Sequence, residues 1–256
     1  MEHSFIDQYS ELNSFIHRLD PRTKLVVSLA FILAVLLTPP GEWRIFAVYL
    51  CIMVGLFAFS KLPPVYVLKR SFVIIPFVLL VSIFIPFFKE GEIAGSYNIW
   101  FWKVSITYNG LFILANILIK AWLCILSLIL LSATTKFSNL LEGLRQIHVP
   151  RTLVLIVSFM YRYIFVLTDE ALRMQRAYQS RNVGGSLLHR LKAFGNMIGV
   201  LFLRSYERAE RIYMAMSSRG FDGQIRTLSK LTLQRADVYF GVAFGIMLVL
   251  PHIIPW

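Results

Sequence analysis

The feature that most constrains this chain is a series of apolar segments, each near the length that crosses a lipid bilayer. They occupy residues 25–37, 45–59, 72–88, 111–131, 153–167 and 238–254. A membrane-spanning helix needs roughly 17–25 mostly apolar residues, and the two shortest segments approach that length once flanking residues such as Thr23 and Trp43 are added. Only 16% of the 256 residues are charged, against about 25% in soluble domains. We therefore expect an all-α, polytopic helical membrane protein.

Proline and glycine mark the breaks between and within these segments. Pro39-Pro40-Gly41 separates the first segment from the second. Because Pro cannot continue a helix and Gly tolerates a reversed backbone, this tripeptide predicts a turn and hence a tight helical hairpin. Pro76 and Pro86 fall within the third segment. We expect them to kink it, since neighbouring helices can satisfy the freed carbonyl groups in a membrane.

The distribution of charge predicts the orientation of the spans. Residues 134–235 contain sixteen Lys and Arg against six Asp and Glu, whereas the net charge of the whole chain is +12. Positive segments stay on the cytoplasmic side, and a span at 153–167 would export much of this charge and bury Arg162. We therefore expect about five spans, an inside N-terminus, an outside C-terminus and a buried or interface-lying helix at 153–167. The predicted regions are 1–133 with spans one to four, a cytoplasmic domain at 134–235, and 236–256 with the last span.

An amphipathic helix is predicted near the end of the basic segment. Between Tyr206 and Met216 apolar residues recur at steps of three and four. On the other face, Arg204–Glu207 and Glu207–Arg211 have ion-pair spacing. The helix is expected to end at Ser218-Arg219-Gly220, since Gly is a natural helix stop.

A second amphipathic helix is predicted at 168–180, ending near Ser180-Arg181-Asn182. Each helix thus ends in a tripeptide centred on arginine, and two interpretations stay open. An arginine near a helix C-terminus interacts favourably with the helix dipole. Alternatively, each arginine projects into an acidic pocket of a partner, because the planar guanidinium bonds a carboxylate in two places.

The residues give little sign of chemistry. No Walker-type GxxxxGK[ST], GxSxG, HExxH or CxxC motif occurs, and the histidines have no HxxxH or HxH spacing. We expect no catalytic residue, no metal site and no cofactor. Cys51 and Cys124 lie in apolar segments and are expected to be buried thiols. Asn13, Asp20 and Asp237 fall near membrane boundaries and are expected to cap helices or to be hydrated there.

Other classes of function fit the pattern less well. A membrane-bound enzyme would need paired intramembrane polar or metal-ligand residues, and none is evident. A nucleic-acid binder could use the basic segment, but the orientation rule already explains that charge. We therefore expect no nucleic acid among the partners.

Two stretches at opposite ends of the chain resemble a known family. His17-Arg18-Leu19-Asp20-Pro21-Arg22-Thr23-Lys24-Leu25, preceded by Asn13-Ser14, resembles the start of the transmembrane T components of energy-coupling factor (ECF) transporters. The stretch from Arg208 to Gly223, which contains Ser218-Arg219-Gly220-Phe221-Asp222-Gly223, resembles their second coupling-helix motif. The Asp7…Asn13-Ser14 lead-in and the Gly220-Phe221-Asp222-Gly223 ending are most like CbiQ of the cobalt branch.

The resemblance implies a non-catalytic scaffold in a prokaryotic cell membrane. A T component joins a substrate-binding membrane subunit, the S component, to two cytoplasmic ABC ATPases. Its coupling helices end in Ala-Arg-Gly-like tripeptides that dock on the ATPases, which here implies roles for Ser180, Arg181, Asn182, Ser218, Arg219 and Gly220. The first tripeptide departs from that pattern at both flanks of the arginine, the second only by Ser for Ala. The implied cargo is cobalt or nickel with a metal-binding, CbiM-like S component; the alternative is a vitamin-specific or shared ECF transporter.

Overall fold

A computed structural model describes residues 12, 14–85, 93–99, 102–147, 149–181, 186–223 and 233–253. The described part is mainly helical, which confirms the expected fold class. The nine described helices are α1 Phe15–Arg18, α2 Pro21–Leu37, α3 Trp43–Ser60, α4 Pro64–Ser82, α5 Tyr108–Thr134, α6 Phe137–Gln146, α7 Arg151–Arg181, α8 Leu187–Ser217 and α9 Arg235–Ile253.

A two-stranded antiparallel hairpin interrupts the helices between α4 and α5. Strand β1, Ile93–Ile99, pairs with β2, Trp102–Thr107. β2 leads directly into α5, whose first residue is Tyr108.

The chain divides into two compact units. One lies within residues 2–143 and 231–256 and contains most of the apolar helices; we refer to it as the membrane unit. The other lies within residues 144–230 and is formed by α7 and α8; we refer to it as the basic unit.

By length and composition, four helices of the described residues could cross a membrane: α3, α4, α5 and α7. The first three correspond to expected spans. The expected first span, α2, has 17 residues and the expected last span, α9, has 19. Segment 153–167 forms the first half of α7, whose only buried residue is Val154. The chain is thus a multi-pass membrane protein, and the number of five spans stays a prediction.

The core of the membrane unit lies where α2, α3, α5 and α9 meet. Phe31 packs edge-on against Tyr49 with ring centroids 5.6 Å apart, and Phe244 lies 6.4 Å from Phe31 on another side. Val35 and Leu123 complete the centre of this cluster. Large apolar side chains on the outer faces, such as Val73 and Phe77, are exposed. A continuous exposed apolar surface of this kind fits lipid.

A polar seam joins α2 to α5, and a lysine closes it at each end. Lys24, near the start of α2, donates from Nζ to the carbonyl oxygen of Thr134 at the end of α5, 2.9 Å away. Lys120 of α5 donates to the carbonyl oxygens of Leu36 and Thr38 at the end of α2, 3.0 and 2.7 Å away. These carbonyl groups have no partner within their own helix, so each helix supplies the cap of the other.

Polar caps also fix the start of α2. Asp20 accepts a hydrogen bond from the backbone N–H of Arg22 at 2.9 Å, and Pro21 occupies the first helical position. Both choices are typical of a helix N-terminus, which confirms the capping role expected of Asp20. Asp237 is buried and accepts from the backbone N–H groups of Asp20 and Gln234, each at 2.8 Å. Asn13 lies outside the described residues.

The α2–α3 turn confirms the hairpin expected from Pro39-Pro40-Gly41. Helix α2 ends at Leu37 and α3 begins at Trp43. Gly41 has φ +105°, and a Cβ placed on it would lie 3.3 Å from Cζ of Phe112. Glycine is required here by both the left-handed backbone and the close approach of α5.

We predict that Gly41→Ala destabilises the membrane unit by about 1–2 kcal/mol, because an L side chain is strained at this φ and would also press on Phe112. Gly245→Ala is the matched control: a Cβ there meets nothing within 4 Å, and Ala is the better helix former. Thermal unfolding of both variants in mild detergent measures the difference. Equal midpoints for the two variants would contradict this account of the turn.

Candidate functional site

Helices α7 and α8 form one seam along the basic unit. The only partly buried residues of α8 recur at steps of four and three: Ala193, Met197, Leu201, Ser205, Arg208, Ile212 and Met216. Such spacing places them on one face. Phe159, Tyr163 and Leu167 of α7 line an open apolar groove of about 800 Å³ with the C-terminal half of this face.

An ion-pair cluster ties the two helices together where the groove ends. The carboxylate of Glu170 on α7 bonds Arg173 one turn on, at 2.8 Å, and also Arg204 on α8. The hydrogen bonds from Arg204 and then from Arg173 lower the pKa of Glu170 below its usual value. Since a carboxylate with a depressed pKa stays charged at neutral pH, both ion pairs of Glu170 persist there.

The partner of Arg204 is not the one that its sequence spacing suggests. Arg204–Glu207 has i,i+3 spacing, but Arg204 bonds Glu170, 34 residues earlier. The other expected pair is confirmed, with Arg211 and Glu207 separated by 3.8 Å. Packing of α8 against α7 explains the change, because it brings a half-buried carboxylate within reach of Arg204.

The seam is antiparallel and sets the two arginine tripeptides far apart. Glu170 pairs with Arg204, whereas the earlier residue Phe159 shares the groove with the later residue Met216. Arg181 ends α7, and only residues 182–186 separate it from the start of α8. Arg219 follows the other end of α8. At 1.5 Å per residue, the 31 residues of α8 separate these ends by roughly 45 Å.

The first predicted tripeptide ends a helix, as expected. Arg181 is the last residue of α7 and its side chain is exposed. Ser180 lies in the last turn and donates from Oγ to the carbonyl oxygen of Arg176 at 3.0 Å. Asn182 lies outside the described residues. The helix itself begins at Arg151, much earlier than the predicted residue 168.

The second predicted tripeptide forms the C-terminal cap of α8. Gly220 has φ +75°. Its N–H bonds the carbonyl oxygen of Ser217 at 3.0 Å, and the N–H of Phe221 bonds that of Met216 at 3.1 Å. These are the two bonds of a Schellman motif with glycine at its left-handed position. Ser218 and Arg219 thus occupy the final turn, and the backbone fixes where the Arg219 side chain leaves the helix.

Both arginines are free to meet a partner. Arg181 and Arg219 are exposed, and neither forms an ion pair with a described residue. Each carries a planar fork of donors at a helix end, suited to a carboxylate or a pair of carbonyl oxygens. The two arginines thus form two separate exposed positions rather than one composite site.

The cysteines and histidines form no alternative centre in the described part of the chain. No three His, Cys, Asp or Glu side chains there are grouped so as to hold a metal ion. Cys124 is half-buried and Cys51 is exposed on the surface of the membrane unit, not buried as expected. Exposure on an apolar helix face places Cys51 against lipid.

Comparison with known proteins identifies the family. The model of the CbiQ family, described as a cobalt transport protein, matches residues 12–230. The energy-coupling factor transporter transmembrane protein EcfT of Listeria innocua is 30% identical, over 96% of each chain. EcfT of Staphylococcus aureus is 30% identical over 88% of this chain and 86% of its own. An uncharacterized protein of Methanocaldococcus jannaschii is 26% identical over 93% of this chain and 82% of its own.

The matched residues include both Asp20–Lys24 at the start of α2 and the Ser218-Arg219-Gly220 cap of α8. Both stretches carried the resemblance seen in the sequence, and the helix ends that they encode are present in the fold. The chain therefore belongs to the CbiQ family and is a transmembrane T component of the energy-coupling factor class.

Proposed function

We propose that this T component couples ATP hydrolysis by two cytoplasmic ABC ATPases to uptake of substrate by a separate S component. The observation that carries the proposal is the pair of exposed arginines, Arg181 and Arg219, at opposite ends of the α7–α8 seam. Two ATPase protomers need two anchors, and each arginine occupies a helix end that points away from the seam. In the sequence, Ser180 and Asn182 flank Arg181, and Ser218 and Gly220 flank Arg219; we assign these four residues to the same two docking motifs.

The proposed cargo is a divalent metal ion, cobalt or possibly nickel, delivered by a metal-binding, CbiM-like S component. Support comes from the description of the matching family as a cobalt transport protein and from the Gly220-Phe221-Asp222-Gly223 ending. The second candidate is a T component of a vitamin-specific or shared transporter. It is favoured by the EcfT relatives, whose names specify no metal.

We assign no catalysis to this chain. Hydrolysis belongs to the ATPases, and the contribution of this subunit is binding energy and geometry. To transmit a movement of the ATPases, α7 and α8 must not slide along each other. The ion pairs of Glu170 with Arg173 and Arg204 hold the two helices at one point. The exposed apolar residues Leu187, Leu191 and Phe202 on α8 suit contact with a membrane-embedded partner or with lipid.

The proposed orientation places residues 134–235 in the cytoplasm of a prokaryotic cell, with the N-terminus inside and the C-terminus outside. The basic unit has an amphipathic seam rather than an all-round apolar surface, and charged residues such as Arg162 and Arg173 are exposed on it. A helix surrounded by lipid hydrocarbon would bury such charges at high cost.

We predict that the double variant Arg181→Ala, Arg219→Ala loses nearly all bound ATPase and nearly all transport. Truncating one partner of a desolvated charge pair costs roughly 2–5 kcal/mol, so each single variant should weaken docking by about 30-fold or more. Arg→Lys should restore little, because Lys lacks the planar fork. Co-purification of the ATPases in mild detergent, with uptake of Co²⁺, is the measurement.

Arg211→Ala is the control for this pair. Arg211 is exposed on the same helix, and its ion pair with Glu207 spans 3.8 Å, a weak surface interaction. Arg173 and Arg208 are less suitable, because Arg173 bonds Glu170 and Arg208 lines the groove. Retention of both ATPases and transport by the double variant would show that the tripeptides are only helix ends.

We predict that Gly220→Ala weakens docking of one ATPase while Gly220→Asn does so much less. A Cβ at Gly220 meets nothing within 4 Å, so the effect is conformational: a left-handed alanine costs about 1–2 kcal/mol, whereas asparagine adopts this conformation more readily. Titration of purified ATPase onto each variant measures the affinity. If both variants bind like the wild type, the geometry of the cap is irrelevant to docking.

We predict that a cysteine at position 190 is labelled from the cytoplasmic side only. The background is Cys51→Ser, Cys124→Ser, which we expect to assemble normally because both thiols are free. Arg190 is exposed on α8, so a membrane-impermeant maleimide should reach the new thiol in inverted vesicles and not in intact cells. Labelling of intact cells would overturn the orientation and the five-span arrangement with it.

A further inference from the structure

The membrane unit holds both stretches of chain that connect it to the basic unit, and it holds them at one place. The chain leaves through residues 134–143 at the end of α5 and returns through residues 233–237 at the start of α9. Two kinds of hydrogen bond fix these stretches to the start of α2: Lys24 donates to the carbonyl oxygen of Thr134, and the Asp237 carboxylate accepts from the N–H groups of Asp20 and Gln234. We refer to these three residues as the clamp.

Lys24 fixes the outgoing stretch. Its side chain is 7% exposed, and its ammonium group bonds the carbonyl oxygens of Thr134, at 2.9 Å, and His17, at 3.1 Å. Thr134 is the last residue of α5, so its carbonyl group is unsatisfied within the helix. The negative end of the α5 helix dipole also stabilises a positive ammonium group at this point.

The helix that follows is held against the same site. Gly143 of α6 is buried, and a Cβ placed on it would lie 3.5 Å from the backbone nitrogen of Arg22 and 3.6 Å from Cβ of Pro21. α6 therefore packs closely on the first turn of α2. The outgoing stretch is fixed at its beginning, by Lys24, and at its end, by Gly143.

Asp237 fixes the returning stretch. Its side chain is buried, with 3% of the residue exposed. One carboxylate oxygen accepts from the N–H of Asp20 and the other from the N–H of Gln234, each at 2.8 Å. The same carboxylate thus holds the chain just before α9 and the residue that caps α2.

We propose that the Asp20–Lys24–Asp237 clamp is a positioning site for coupling: it holds the chain at Thr134 and at Gln234 to the start of α2, so that movement of the basic unit reaches the membrane helices. This inference rests on the coupling role proposed above. A charged hydrogen bond is among the stronger ones in a protein, and the clamp places such bonds on the two stretches where a flexible link would absorb movement.

The other lysine of the α2–α5 seam provides a matched comparison. Lys120 bonds the carbonyl oxygens of Leu36 and Thr38 at the far end of α2. It caps a helix as Lys24 does, but neither connecting stretch is near it in the chain. A variant without Lys120 therefore measures the effect of leaving the end of α2 uncapped while the clamp stays intact.

The test compares Lys24→Met with Lys120→Met in the whole complex, reconstituted in liposomes with Co²⁺ as the transported probe. We expect Lys24→Met to keep ATP hydrolysis but to lower Co²⁺ taken up per ATP by about five-fold or more, the range usual for coupled sites. Lys120→Met should leave that ratio unchanged. Asp237→Asn removes one of the two acceptor oxygens and should also lower the ratio of Co²⁺ taken up to ATP hydrolysed. This variant replaces Lys24→Met in the test if Lys24→Met does not fold.

Hydrogen exchange on the purified chain separates this inference from the proposed function. Lys24→Met should speed exchange of the amides in 135–143 by at least about tenfold, a factor that corresponds to about 1.4 kcal/mol, whereas Lys120→Met should act near Thr38. If the wild-type complex fails to couple Co²⁺ uptake to ATP hydrolysis, the proposed metal cargo is wrong, and the exchange data still decide whether the clamp exists. Unchanged exchange, or an unchanged ratio in both clamp variants, would overturn the inference.

Discussion

The reciprocal capping of α2 and α5 is the constraint on which the membrane unit depends. Backbone groups that are left unsatisfied in an apolar medium cost several kcal/mol each. α2 has 17 residues, about 26 Å at 1.5 Å per residue, slightly less than a hydrocarbon core of about 30 Å. In the proposed five-span arrangement, the C-terminal carbonyl groups of α2 end at or within the apolar layer, and the Nζ of Lys120 supplies them with a hydrogen-bond donor. Lys24 does the same for α5, and Ser28 bonds Ser127 between them.

The polar seam determines the register of α2 against α5 and also stabilises their contact. If α2 slid along α5 by one turn, Lys24 would lose the carbonyl group of Thr134, and Lys120 would lose those of Leu36 and Thr38 at the same time. The apolar packing of Phe31, Tyr49 and Phe244 is less specific, because apolar surfaces tolerate small shifts better than charged hydrogen bonds do. The apolar core thus stabilises the packing of the helices, whereas the lysine hydrogen bonds determine the register in which they pack.

Local patterns in the sequence predicted the features that are encoded locally. The Pro39–Gly41 turn, the Asp20 cap and the helix ends at Arg181 and Ser217 each depend on residues within one turn of the feature. Long-range partners could not be predicted in this way. Lys24 meets a carbonyl group 110 residues away, and Arg204 prefers Glu170 to its neighbour Glu207. Those pairings depend on which helices lie side by side, and a single sequence does not specify that. The sequence predicts two helices, at 153–167 and 168–180, because the hydropathy of the two segments differs. No helix breaker lies between them, and the structure has one continuous helix, α7.

The two kinds of polar group in this chain have opposite requirements. Three charged side chains form hydrogen bonds with backbone groups inside the protein: Lys24, Lys120 and Asp237. Arg181 and Arg219 lie exposed at helix ends and form no ion pair with a described residue. A Schellman cap explains how the second of these can be both exposed and well positioned: the N–H groups of Gly220 and Phe221 bond the carbonyl oxygens of Ser217 and Met216, so that the Arg219 side chain is not needed to do so. A side chain released from capping its own helix is available to bind a partner, and this distinguishes the proposed anchors from an ordinary arginine at a helix end.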